Sequence, residues 1–105
     1  MDNIITTKPL LRPTVQIVVP LGTTRVVSFP DEFLGIAESI LISNLDASNV
    51  ATYQIGGQSM PTLILSSGAF RAISETKIKI ISITAGAAGA VQLEAQIQSF
   101  KELSG

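Results

Sequence analysis

Between Val91 and Gln98 the apolar residues fall on every second position, Val91, Leu93, Ala95 and Ile97 alternating with Gln92, Glu94, Gln96 and Gln98. On a helix, at about 100° per residue, the same apolar residues scatter around the wheel with polar ones between them. On a strand they share one face. The alanines, glutamines and glutamate favour helix by only a few tenths of a kcal/mol each, whereas burying a large apolar side chain gains roughly 1.5–3 kcal/mol, so the pattern predicts a strand. The preceding Ala85–Ala90, with Gly86 and Gly89, then reads as the turn into it, its glycines free to take φ > 0. A phosphate cradle would require a helix to follow, and none does.

The alternation recurs along the chain. Residues 14–19 and 24–29 form two strands around Pro20-Leu21-Gly22-Thr23, which predicts a hairpin. Strands follow at 36–43, 50–55, 62–65, 69–73 and 77–84, separated by Asn-, Ser-, Gly- and Pro-rich turns. The phase slips at Ile80-Ile81, where a bulge or burial of both faces is expected. Pro30–Gly35 is expected to hold a single helical turn closed by Gly35. Seven or eight short strands at this spacing predict an all-β fold, an antiparallel β-sandwich or small jelly-roll-like barrel over residues 14–105. Residues 1–13 show no alternation and contain Pro9 and Pro13; they read as an extended amino-terminal arm whose Ile4, Ile5, Leu10 and Leu11 need cover, as assembly contacts on a neighbouring copy.

Composition narrows the function. Charged residues are 14% of the 105, against about 25% in ordinary soluble domains, while 46% are hydrophobic. So little charge predicts surface covered by copies of the chain or by a partner, hence a homo-oligomer. The net charge of −1 argues against nucleic acid as a partner. The longest uncharged stretch, residues 47–70, is broken by Gly56, Gly57 and Pro61, so no membrane partner is expected, and Met1-Asp2-Asn3 lacks the basic start of a secretory signal, which suggests synthesis in the cytoplasm.

The chain has neither cysteine nor histidine, which removes Ser-His-Asp and Cys-His catalysis and thiolate or imidazole metal sites. Ser74-Glu75-Thr76-Lys77 matches S-x-x-K but enters a strand, where Ser and Lys are not one helical turn apart. Glu38 and Glu94 lie on strands, and Glu94 belongs to an outward polar row, so they do not make a glycosidase pair. Lys77 and Lys79 read as guards of a sheet edge. No enzyme activity, metal or cofactor is expected. Phe29, Phe70 and Phe100 fit core or core-edge positions, leaving Phe33 and Tyr53 as candidate exposed contacts. Tyr53, with the loop 44–49, also supports the alternative of a glycan or cell-surface binding module.

The stretches SILISNLDASNVATYQIGG, TLILSSGAF and IKIISITAGAAGAVQLEAQI resemble small β-sandwich structural proteins of tailed-phage virions, over roughly residues 14–100. Asn44, Tyr53, Gly56, Gly68, Phe70 and Gly86 match that outline, and Ser66-Ser67-Gly68 departs from it where Pro-Gly is common. The resemblance implies a non-enzymatic virion part of decoration, vertex or head-to-tail type. It would be located in the virion, docked on other virion proteins such as a major capsid protein, with no active site.

Overall fold

The computed structural model describes residues 14–74 and 77–99. Ile4, Ile5, Leu10, Leu11 and Phe100 lie outside the described residues, as does the arm as a whole. Eight strands and one helical turn follow in order: β1 (Thr14–Val19), β2 (Thr24–Ser28), α1 (Phe29–Phe33), β3 (Gly35–Asn44), β4 (Ala51–Ile55), β5 (Leu63–Leu65), β6 (Phe70–Ile73), β7 (Ile80–Thr84) and β8 (Val91–Ser99). The strand over residues 91–98 forms as its alternation requires, burying Val91, Leu93, Ala95 and Ile97.

The strands make two four-stranded antiparallel sheets, in the orders β1-β8-β3-β6 and β2-β7-β4-β5. Apart from β4 and β5, consecutive strands lie in opposite sheets, which is the jelly-roll arrangement of a β-sandwich. This corrects the expected hairpin. Pro20–Thr23 carries the chain from one sheet to the other: β1 pairs with β8, Val19 opposite Val91, and β2 with β7, Val27 opposite Ile81. Thr23 N–H and its hydroxyl both bond to Pro20 C=O, at 3.2 and 2.7 Å. The local turn is the same in a hairpin or a corner, and the choice is made by the partners each strand finds elsewhere.

Both inner faces supply the core, centred on Phe29, Ile40, Ile42, Ile81, Ile83, Leu93 and Ile97. In β7 the residues Ile81, Ser82 and Ile83 are all buried, so the phase slip reflects burial of both faces of a central strand. The bulge lies in β3 instead, between Ala37 and Ser39, where Ala37 opposes Ile97 and Ser39 opposes Gln96. It inserts Glu38 as an extra residue and shifts the inward set from Ala37 to Ile40 and Ile42, so Glu38 does not enter the core row with them. Ala37 also exchanges two 2.9 Å backbone bonds with Ile78, tying the sheets together at this end.

The helical turn α1 forms where the sequence predicts it, and Glu32 accepts from the Ser28 N–H at 3.1 Å and pairs with Arg25. Its end differs. Leu34, not Gly35, takes the left-handed conformation, φ 55°, and donates to Phe29 C=O. Gly35 serves close packing: a Cβ there would lie 2.4 Å from the Gln98 carbonyl oxygen.

Candidate functional site

Four connections gather at one end of the sandwich: 20–23, 45–50, 66–69 and 85–90. They are held by one buried polar network. Asn44, the last residue of β3, has its side chain buried, and its Nδ2 donates to the carbonyls of Asn49, Leu65 and Ser66 at 3.0, 3.2 and 3.1 Å, while its Oδ1 accepts from Asp46 N–H at 3.0 Å. One amide therefore braces the β3–β4 and β5–β6 connections. Asp46, only 1% exposed, accepts from the backbone N–H groups of Ser48 and Asn49 at 2.8 Å each, from Asn49 Nδ2 at 3.1 Å, and from Ala88 N–H at 3.0 Å. The Ser48 bond is the largest influence on its pKa, and together these donors outweigh the opposing effect of desolvation, lowering it from 3.8 to about 2. A carboxylate offers acceptors only, so four donors converging on it satisfy it without a counter-ion.

Gly86 and Gly89 make room for that carboxylate. Neither takes a positive φ, which corrects the turn chemistry expected of them. A Cβ on Gly86 would meet Asp46 Oδ2 at 2.6 Å, and one on Gly89 would meet Asp46 Cα at 2.4 Å. Backbone bonds complete the frame: Gly22 N–H to Gly86 C=O at 2.7 Å, Leu45 N–H to Ala90 C=O at 2.9 Å, and Gly68 N–H to Asp46 C=O at 3.0 Å.

Among the described residues, the surface this frame presents is without charge, with large apolar side chains set among exposed Thr23, Ser48, Asn49, Ser66 and Ser67. Asp46 is the one ionisable residue in the four connections, and it is buried. Leu21, Leu45 and Val50 stand at least half exposed, and Phe70, where the chain enters β6, is 70% exposed. Asp31, Glu32, Lys77 and Lys79 sit at the opposite end. The molecule is thus polar along its length, with a stiff neutral end and a charged one. Hydrogen bonds between loops hold the apolar side chains in place without burying them.

The residues singled out from sequence do not converge. Tyr53 is a correction: it is 2% exposed inside β4, facing Ile83 and Leu63, because its row of the strand points between the sheets. Phe33 is half-buried against the core, its ring 6.0 Å from that of Phe29, at the end away from the neutral loops. Phe29 is buried as expected, but Phe70 is a surface residue. Lys77 and Lys79 guard no edge; they precede β7, an interior strand, and rim a shallow depression of about 350 Å³ with Ile55 and Ile80. Glu94 lies on the outer face and accepts from Gln16 Nε2 at 2.9 Å. Among the described residues no cluster of three His, Cys, Asp or Glu could hold a metal ion.

No protein-family model matches the chain, and no curated protein matches it. Among solved structures, a de novo designed double-stranded β-helix superposes with a TM-score of 0.46 at 12% identity, over 82% of this chain and 99% of that one. A structure of Bacillus endospore appendages, a family of disulfide-linked pili, superposes with a TM-score of 0.44 at 14% identity, over 83% and 91%. Likenesses this loose carry no functional argument, and the fold assignment rests on the strand order itself. These 105 residues contain no cysteine, so a disulfide linkage is closed to them.

Proposed function

We propose that the chain is a non-enzymatic structural module of a phage-like virion, which docks its neutral loop end on a capsid or head-to-tail assembly. The observation that carries this reading is the buttressed end, whose four connections expose no charge among the described residues and where Leu21, Leu45, Val50 and Phe70 face solvent. A preorganised apolar surface loses little conformational freedom on docking, so its burial converts efficiently into affinity. Flexible loops of the same composition would lose that advantage. The resemblance of residues 14–100 to virion β-sandwich proteins supplies the kind of assembly, with a major capsid protein as the partner class. The glycan-binding alternative loses its platform, because Tyr53 is inside the sandwich.

The test is co-sedimentation with assembled heads that lack this chain. Leu21→Glu and Leu45→Glu place charges on exposed positions outside the strands and should leave the fold intact while weakening binding at least tenfold, as expected when a central interface anchor is lost. The control Asp31→Lys, at the opposite end, should bind as the unmodified chain does. Equal binding by all of these proteins would overturn the assignment of the docking surface.

A further inference from the structure

Among the described residues, the flank of the sandwich between β5 and β6 is open. β6 ends one sheet and β5 ends the other, and each pairs on one side only, β6 with β3 and β5 with β4. Between them runs a groove of about 280 Å³ lined by Tyr53, Ile55, Leu63, Arg71, Ala72 and Ile73. Ile64 stands 62% exposed beside it, and Leu63 is partly exposed within it. Natural sheets protect such edges with charge, proline or cover. Here Arg71 is the one charged residue in β5 and β6.

The chain carries a segment suited to this edge. Ile4-Ile5-Thr6-Thr7 is a run of four β-branched residues ended by Pro9, and such residues favour the pleated, half-buried surface of a strand. Pro9, two residues beyond the run, has no N–H to continue the ladder and keeps the added strand short. The segment is joined to Thr14, the first residue of β1, which lies at the far edge of the sheet that β6 closes. Three strand spacings separate β1 from β6, about 14 Å. Reaching the groove of its own sandwich would take the segment through a reversal next to Thr14 and back across the charged end. Pro9 and Pro13 oppose that route, since each disfavours helical backbone in the residue before it. The seven residue steps from Thr7 to Thr14 extend to about 24 Å, enough to leave the sandwich and enter the groove of an adjacent copy directly.

We propose that residues 4–7 of one copy add as a strand along the free edge of β6 in the next copy. Alternation places one isoleucine in the groove over Leu63 and Ile73 and the other on the outer face beside Ala72. Main-chain hydrogen bonds along the edge supply affinity, and the groove selects the side chains. Donor and acceptor surfaces differ, so the contact is head-to-tail and builds a ring or an open chain of copies. It shares only Phe70 with the neutral docking end, and self-association in the absence of any head tests it alone.

The experiment is sedimentation velocity at micromolar concentration on three proteins. The full chain should self-associate. A chain lacking residues 2–11, with the groove but no donor, should be a monomer. A full-length chain carrying Leu63→Glu, or Ala72→Arg if the first proves unstable by circular dichroism, has the donor but a blocked groove and should also be a monomer. An equimolar mixture of the truncated chain with the groove variant should form 1:1 pairs and nothing larger, because each supplies what the other lacks. A monomeric full chain, a truncated chain that still associates, or a mixture that fails to pair would each overturn the proposal. Leu21→Glu and Leu45→Glu chains that bind heads as the unmodified chain does, with self-association intact, would count against the docking surface and leave strand addition standing.

Discussion

Asp46 accepts four donors with two oxygens, and that arrangement makes its charge a condition of the loop end. The group's pKa is 3.8 unperturbed and about 2 in the fold, so folding favours the ionised form. A lowered carboxylate pKa contributes stability that is fully present above the unfolded value and is lost as pH falls through the folded one. The acid limb of the stability curve should therefore carry a component between about pH 4 and pH 2 that belongs to Asp46. Asp46→Asn should abolish that component and lower the urea midpoint at pH 7, because an amide can accept at only one of the two positions and turns a donor toward the N–H groups at the other. Urea titrations of both proteins at pH 7, 4 and 2.5 would show it. Parallel pH profiles would mean that the carboxylate is not held as described. Little of this was legible in the chain. Asn44, Asp46 and Ser48 mark a loop by type, but the burial of Asp46 depends on Gly86, Ala88 and Gly89, some forty residues later, and no local rule connects the two.

Elements were easier to read than their pairing. The alternation that marks β1, β3, β4 and β8 is a property of each segment, set by which face meets the core, and it survives in the sequence. Whether β1 and β2 make a hairpin is decided by β8 and β7, which is why Pro20–Thr23 pointed to the wrong neighbour. The same limit hid Tyr53, whose row faces Ile83, and exposed Phe70, whose row faces outward opposite Ser43. At the end of α1 the local rule failed for a different reason. Gly35 is needed flat against Gln98, so the left-handed position falls one residue earlier, on Leu34, an exposed side chain with nothing to gain there. Left-handed backbone costs an ordinary residue roughly 1–2 kcal/mol, and asparagine tolerates it better. Leu34→Asn should accordingly raise the unfolding free energy by roughly 0.5–1 kcal/mol, read from chemical denaturation with an unchanged m-value. A loss of stability would show that Leu34 contributes packing beyond its conformation. Gly35→Ala serves as the contrast and should destabilise, since its Cβ would meet backbone rather than a movable side chain.

At the scale of the whole molecule, few charges and an uneven placement of them act together. Among the described residues, Asp31, Glu32, Lys77 and Lys79 gather at the end where α1 and the entry to β7 lie, and the four connections at the opposite end hold buried Asp46 alone. An interface made by the neutral end has no charge to screen. At about 0.15 M salt, interactions between exposed charges fade over roughly 8 Å, whereas apolar burial is unaffected or strengthened by excluded salts. The affinity for assembled heads should therefore stay within about twofold across roughly 0.05–0.5 M sodium chloride, and sodium sulfate should tighten it. Binding that weakens steeply over this range would place the contact at Lys77, Lys79, Asp31 and Glu32 instead. Such a result would reverse the molecule on its partner, turning the loops outward and leaving the charged end to make the attachment.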